Sequence, residues 1–306
     1  MSLTCRQRPT LLIVGCGDVG MRVLRLLRSR WRVLALTSSP DRLAVLRHAG
    51  AVPVLGNLDE PATLQRLAGL ARLAQAVLHL APPPGPGAGD PRGLNDPRTR
   101  ALLQALLRGG APVQRLVYAS TTGVYGDCAG ASFDETRPVA PGTDRARRRV
   151  AAEALVRAYG RITGATVSVL RIPGIYAADR PGGHPRERLQ RGTAVLAAGD
   201  DVYTNHIHAD DLARACVAAL QRGLPQRVVN ACDDSDLKMG DYFDLAADLC
   251  GLPHPPRITR EQARAQMSPM LLSFMSESRR IQNHRLKREL RLRLRYPTVV
   301  EGLRGT

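Results

Sequence analysis

Three glycines, Gly15, Gly17 and Gly20, stand in G-x-G-x-x-G spacing directly after the apolar run Leu11 to Val14. The run reads as a short buried strand, and from Met21 to Leu27 the apolar positions recur at helical spacing. That strand–turn–helix context assigns each glycine a task. Gly15 permits the tight turn out of the strand, Gly17 lets a pyrophosphate approach the backbone, and Gly20 lets the helix pack closely on the sheet. The amides of Asp18 and Val19, at the helix N-terminus, then face the phosphate with the positive end of the helix dipole. Cys16 sits inside the loop, where oxidation or alkylation would block a bound nucleotide. The chemistry these residues suit is the holding of a dinucleotide.

A second group of residues bears on which dinucleotide. In NAD sites an acid at the end of the second strand holds the ribose 2′-hydroxyl. Here that end reads Leu36-Thr37-Ser38-Ser39, without an acid, and Arg42 follows at the start of the next helix. Small hydroxyls beside an arginine suit a 2′-phosphate, because guanidinium pairs phosphate bidentately. This favours NADP over NAD. The bland alternative is that Ser39 merely caps the helix beginning near Pro40, with Arg42 solvated.

The elements that must position these groups alternate. Strands are expected at 32–36, 52–55, 76–80, 114–120 and 166–171, with helices at 41–49, 60–71, 98–107 and 143–163 between them. A Pro- and Gly-rich loop at 82–97, open to motion, interrupts the series. Repeated βα units of this length predict an α/β, Rossmann-type doubly wound parallel sheet with right-handed crossovers and helices on both faces. A ligand then lies at the carboxyl ends of the strands. After Arg171 the alternation loosens: helices are expected at 187–196, 210–221 and 241–250, strands at 202–207 and 226–231, and a basic helical tail runs to Tyr296-Pro297. The expected organisation is a nucleotide-binding domain over 1–171 and a smaller, partly discontinuous substrate lobe over 172–306, with some segments returning to the first.

Composition narrows the function classes. The chain has 306 residues, 44% of them hydrophobic, and no run approaches the roughly 18 apolar residues of a membrane span. No signal-like h-region follows the N-terminus, so a cytoplasmic protein with no membrane partner is expected. The formal net charge of +17 invites a nucleic-acid reading. Against it, the basic residues are almost all Arg, with Lys only at Lys238 and Lys287. They are spread along a chain rich in Ala, Leu, Gly and Pro, with no aromatic residues interleaved to stack bases. No specific nucleic-acid partner is expected; attraction to small anionic ligands is. The six cysteines lack C-x-x-C spacing, which argues against a zinc site and a disulfide framework.

Taken together, the motifs resemble those of the extended short-chain dehydrogenase/reductases, the NAD-dependent epimerase/dehydratase family. Gly56-Asn57-Leu58 resembles the G-D-L after the third strand, which implies adenine contacts from Asn57 and Leu58. His79-Leu80-Ala81-Pro82 falls where the fourth strand meets the cofactor, implying contacts from Ala81 and Pro82. The segment 119–127, Ala-Ser-Thr-Thr-Gly-Val-Tyr-Gly-Asp, resembles S-S-x-x-V-Y-G-D. Leu170 to Tyr176 resembles the segment near the nicotinamide, which implies a role for Pro173. His206 to Leu212 is similar to F-V-H-V-D-D-L, and Asn230-Ala231-Cys232, Tyr296-Pro297-Thr298 and Glu301-Gly302-Leu303 also fit. Members often dimerise through a four-helix interface, which implies a homodimer built on the helix at 143–163.

Two departures make the chain an atypical member. Extended members usually carry T-G-x-x-G-x-x-G, not G-x-G-x-x-G. More serious, counting back from Ala151-Ala152-Glu153 puts the family's Y-x-x-x-K on Arg145 and Arg149. The Tyr moves the substrate's hydroxyl proton, and the Lys binds ribose and lowers the Tyr pKa. Arg149 can still bind ribose and supply charge; Arg145 cannot be a general base, because guanidinium keeps its proton. The substitutes are Thr121, matching the family's Ser/Thr on the reacting oxygen, and Tyr125, a nearby phenol at a position that usually packs. An Asp144–Arg148 pair, given a one-residue shift in register, is a third.

The basic cluster Arg145, Arg147, Arg148, Arg149 suits either a phosphate-bearing substrate or a solvated face. His206 and His208 share one face of a strand, with no third metal ligand evident; His208 is expected to tether the strand-to-helix turn, with Asp210 or Asp211 capping. Two functions fit. One is an NAD(P)-dependent oxidoreductase or epimerase-like enzyme on a small hydroxyl- or carbonyl-bearing substrate, with nucleotide sugars among the options. The other is a non-catalytic NADP-binding sensor or regulatory module.

Overall fold

The structure of the chain, a computed structural model, describes residues 8–85, 95–110 and 113–304. The chain divides into two units. The first comprises residues 1–121, 143–171 and 213–229, and the second 122–142, 172–212 and 230–306. Residues 122–142 go to the second unit while 213–229 return to the first.

In the first unit the strands are β1 (Thr10–Val14), β2 (Arg32–Thr37), β3 (Val52–Leu55), β4 (Ala76–His79), β5 (Arg115–Thr121), β6 (Thr166–Ile172) and β7 (Arg227–Asn230). Helices α1 (Asp18–Leu27), α2 (Arg42–His48), α3 (Gln65–Ala71), α4 (Pro97–Arg108), α5 (Asp144–Thr163) and α6 (Ala209–Arg222) alternate with them. The part of the expected loop at 86–94 lies outside the described residues. The seven strands form one sheet in the order β7-β6-β5-β4-β1-β2-β3. β1 runs parallel to both β2 and β4, pairing Val14 with Leu36 on one side and with His79 on the other. The chain therefore winds outward in both directions from β1, and the gap between the loops that follow β1 and β4 is the point at which a doubly wound sheet opens for a ligand.

Burial explains why these segments adopt this form. Leu11, Leu12, Ile13 and Val14 are all fully buried, as a central parallel strand covered on both faces requires. Leu12 and Val14 join a core with Leu102 and Leu106 of α4 and Val156 of α5. α1 turns Gly20, Val23, Leu24 and Leu27 inward at helical spacing. α4 starts where Asp96 accepts hydrogen bonds from the amides of Arg98 and Thr99, with Pro97 at its first position. Thr143 caps α5 through the Ala146 amide, and Gly164 ends it in the left-handed region. Among the described residues no helix is long and apolar enough to cross a membrane.

The second unit is built from short pieces around the helix Met239–Cys250. Gly174–Tyr176 pairs in parallel with His206–His208, and Val195–Leu196 with Arg257–Ile258. Tyr176, Val195, Tyr242, Phe243 and Val299 are among the residues of its core. Three expectations are corrected here. The helix expected at 187–196 is only Arg186–Gln190, because Gly192 takes a positive φ and the chain leaves as the strand Val195–Leu196. The strand expected at 202–207 breaks at Asn205, whose carbonyl accepts the Gly174 amide. The expected helical tail keeps only His284–Arg288 of its basic end. Beyond it Leu290, Leu292 and Leu294 are buried while Arg291, Arg293 and Arg295 are exposed, a period of two that no helix can bury.

Candidate functional site

The glycine loop divides its three tasks by geometry. Gly15 has φ +84°, and a Cβ there would lie 2.5 Å from the Ala81 amide nitrogen. The turn needs the left-handed region and the loop after β4 leaves no room for a side chain. At Gly20 a Cβ would come within 3.2 Å of Cys16 Sγ and 3.4 Å of Ile13 Cγ2, so the bare backbone sets the helix-to-strand distance. Gly17 differs: nothing lies within 4 Å of where its Cβ would be. The backbone at Gly17 therefore has room for a close approach from outside the loop.

Directly after Gly17 begins α1, ten residues long, whose first-turn amides have no acceptor within the helix. The Asp18 carboxylate pairs with Arg22 at 3.1 Å, which leaves the Asp18 and Val19 backbone N–H groups as their contribution. Cys16 is buried, and burial pushes its thiol up to about 11. It stays protonated at neutral pH, so the reactive loop thiol considered from the sequence is corrected to an inert one.

A cavity of about 500 Å³ opens over this loop. Gly15 and Gly17 form one wall, and Thr37, Ser38, Ser39 and Arg42 the end reached by β2. Asn57 and Leu58 from the turn after β3, and Ala81 and Pro82 from the loop after β4, line it too. The first unit thus brings together most of the residues expected to meet a cofactor. Arg42 reaches back over the loop, its Nη2 donating to the Cys16 carbonyl at 2.8 Å. Ser39 does not cap α2, which starts with no side-chain cap; its amide donates to Thr37 Oγ1 at 3.2 Å. Asn57 lines the cavity, but its amide group is turned into its own turn, donating to Glu60 Oε1 and accepting from the Asp59 amide. The side-chain contact expected of Asn57 is corrected to one that shapes the turn.

Sequence reasoning missed Asp59 and Arg98, which also line the cavity. Arg98 Nε donates to Asp59 Oδ1 at 2.7 Å, its Nη2 to Oδ2 at 2.5 Å, and its Nη1 to the Pro82 carbonyl at 3.1 Å. The pair joins the turn after β3 to the first turn of α4, and no local pattern announces it.

Arg149 on α5 lies against β5, with Nη1 donating to the Ala119 carbonyl at 2.5 Å and to Tyr118 Oη at 3.1 Å. Its Nε and Nη2 have no partner among the described residues, so the guanidinium is anchored at one corner and open at the others. Thr121, half-buried, ends β5 two residues beyond that anchor. Tyr118 is fully buried beneath Arg149, and burial lifts its phenol to about 12. The neighbouring His79 is also enclosed; burial first and then the Arg149 charge lower it to about 3, so it stays neutral, with Nε2 on Thr99 Oγ1 at 2.9 Å.

Glu153, one turn along α5, is a further residue whose role the sequence did not reveal. It accepts from Ser120 Oγ at 2.6 Å and from Arg171 Nη2 at 2.8 Å and Nε at 3.1 Å, all of it buried. The expected Asp144–Arg148 pair does not form: Asp144 meets Arg147 at 2.7 Å on an exposed face, and Arg148 is buried instead. Arg145 is exposed on the first turns of α5. The cluster of four arginines is therefore dispersed over different faces of the helix.

Two expected site residues belong to the second unit. Tyr125 is buried, donates to Asn230 Oδ1 at 2.8 Å and packs edge-on against Phe133. A phenol so enclosed and bonded is a packing residue, and its catalytic candidacy is withdrawn. Pro173 lies between the strands ending at Ile172 and starting at Gly174. His206 and His208 are both buried, stacked on Tyr242 and packed on Tyr296 respectively. The Asp210 amide donates to His208 Nδ1, the expected tether, and Asp211 accepts the Arg295 and Tyr296 amides and so holds the tail.

Comparison with known proteins bears on the family and the fold. Residues 11–232 match the model of the NAD dependent epimerase/dehydratase family. A structure of a conserved protein of unknown function from Silicibacter pomeroyi superposes with a TM-score of 0.81 at 33% identity, over 97% of each chain. Protein YeeZ of Escherichia coli (strain K12) is 28% identical over 247 residues, 79% of this chain and 84% of its own. The dTDP-glucose 4,6-dehydratase of Bacillus anthracis, solved in complex with NAD, shares the fold at a TM-score of 0.74 and 16% identity, over 97% of this chain and 95% of its own.

Proposed function

The chain belongs to the NAD-dependent epimerase/dehydratase family, and from that premise we propose that it binds NADP(H) and acts on a small hydroxyl- or carbonyl-bearing substrate of sugar-nucleotide type. The observation that carries the cofactor reading is the cavity over the glycine loop, whose β2 end offers Thr37, Ser38, Ser39 and Arg42 and no carboxylate. The open space at Gly17 and the N-terminus of α1 directly after it fit a pyrophosphate. Arg42 supplies the charge for a 2′-phosphate, which a diol-binding acid would repel. Arg149, anchored on β5 with two nitrogens open, takes the ribose hydroxyls in place of the family's lysine. When bound, a nicotinamide supplies hydride exchange with a carbinol carbon. Thr121 orients the reacting oxygen, and water carries the proton that no side chain of Arg145 or Arg149 can accept.

Titration of the purified apo-protein with NADPH and NADH tests the cofactor, read by energy transfer from Trp31, the only tryptophan, and by calorimetry. NADPH is expected to bind saturably. Arg42→Ala is expected to weaken NADPH by about tenfold, the worth of one charge-assisted phosphate contact, and NADH by less than about twofold. Equal weakening of both would remove the 2′-phosphate role.

The arginines in place of the Tyr and Lys favour a second reading, an NADP-binding sensor without catalysis. Turnover decides between them. With a catalytic site, slow oxidation of NADPH or epimerisation is measurable with a panel of sugar nucleotides and carbonyl compounds, and Thr121→Val lowers the rate by about a hundredfold or more without changing NADPH affinity. An unchanged rate would end the role of Thr121; tight NADPH binding with no turnover on any member of the panel supports the sensor.

A further inference from the structure

Asp59 is the one carboxylate among the described residues lining the cavity, in a pocket otherwise suited to phosphate. An ionised acid there opposes every phosphate group that enters, and NADPH brings three where NADH brings two. Its two oxygens are covered by Arg98 Nε and Nη2 in a bidentate pair. The remaining guanidinium nitrogen is held by the Pro82 carbonyl, so all three nitrogens of Arg98 already have acceptors. Arg98 itself is set by the capping of α4: the Asp96 carboxylate holds the Arg98 amide at 3.0 Å and the Thr99 hydroxyl at 2.6 Å, which fixes the helix start.

We infer that Arg98 is a cofactor-specificity residue that acts through Asp59, neutralising the one acid of the cavity so that the pocket accepts NADPH rather than NADH; this rests on the cofactor reading above. Arg98 does not need to touch the ligand. Its removal exposes a carboxylate, and the penalty falls harder on the nucleotide with the extra phosphate. The two side chains are only partly exposed, 26% for Arg98 and 39% for Asp59, so solvent screens the effect in part without erasing it.

The role separates from simple bracing of the two loops by a pair of variants. Arg98→Ala and the double variant Asp59→Asn/Arg98→Ala both lose the strap from the β3 turn to Pro82, but only the first leaves a bare charge. NADPH and NADH are titrated against wild type, Arg98→Ala, the double variant and Asp59→Asn, at low and at 0.5 M salt. Arg98→Ala is expected to weaken NADPH by about tenfold and NADH by about twofold at low salt, with the difference shrinking at high salt. The double variant is expected to return NADPH to within about threefold of wild type, and Asp59→Asn alone to bind NADPH at least as tightly as wild type. Equal losses for both nucleotides in Arg98→Ala and in the double variant would overturn the assignment, leaving only a brace. The wild-type curves judge the cofactor reading separately: binding of neither nucleotide there, or preference for NADH, would overturn that reading and this assignment with it.

Discussion

Replacing Gly15 with alanine is expected to abolish saturable NADPH binding and to lower the unfolding free energy by about 3 kcal/mol. Two costs combine: an L-residue held at φ +84°, and a Cβ placed 2.5 Å from the Ala81 nitrogen and 2.8 Å from its Cα. Backbone cannot rotate out of the way as a side-chain tip can, so β1 and the loop after β4 must separate. That separation distorts the wall of the cavity at Ala81 and Pro82. Gly17→Ala supplies the contrast. With φ −78° and nothing within 4 Å of its Cβ, it is expected to leave the melting temperature within about 2 °C of wild type while reducing NADPH affinity by at least tenfold. Thermal unfolding of the apo-protein, followed by titration, reads both. Should Gly15→Ala melt like wild type, the close approach of the two loops is not a constraint; should Gly17→Ala bind normally, the phosphate does not lie over it.

The second large effect is expected at Glu153, which touches no ligand. Glu153→Ala would take the carboxylate from the buried Arg171 guanidinium, with 6% of its side chain exposed, and leave Ser120 Oγ without its Glu153 acceptor. Breaking a buried pair by removing one member costs about 3–5 kcal/mol, because the partner's charge stays desolvated. Urea unfolding monitored by circular dichroism is expected to show that loss. Glu153→Gln, which keeps an acceptor for Ser120 but loses the charge, is expected to fall between wild type and Glu153→Ala. Replacing Glu153 and Arg171 together by Leu and Met is expected to be milder than Glu153→Ala, since no bare charge remains. If the double replacement is the more damaging, the pair itself and not the arginine deprived of its carboxylate sets the loss. The ion pair ties α5 to β5 and β6, and β5 carries Thr121 at its end, so the loss of Glu153 also loosens the strand that presents the candidate catalytic hydroxyl.

The parts of the site that could be read in advance are those in which a residue acts through its own backbone or its immediate neighbours. Gly15, Gly17 and Gly20 were assigned distinct tasks from spacing alone, and the φ of Gly15 and the Cβ room at each are local properties of the kind such spacing can carry. Thr37, Ser38, Ser39 and Arg42 were legible for the same reason: strand end and helix start are adjacent in the chain. Asn57 was read by analogy with an acid, and the amide turned inward, because Asn hydrogen-bonds its own turn readily. Tyr125 was read as an available phenol, yet it is bonded to Asn230, more than a hundred residues away.

The amino-acid sequence by itself determined the family, the alternating parallel architecture and the position of the glycine loop at the centre of the sheet. The architecture and the loop follow from hydrophobic period and glycine spacing, and the family from the resemblance of several short motifs in order, each written along a few consecutive residues. The tertiary structure alone decided which charges are paired. Asp59 with Arg98, Glu153 with Ser120 and Arg171, and Arg149 with the Ala119 carbonyl each join segments that sequence separates by about 20 to 40 residues. Electrostatic energy depends on distance and burial, not on chain order, so the field inside the cavity came into being only when the loops after β1, β2, β3 and β4 met around it.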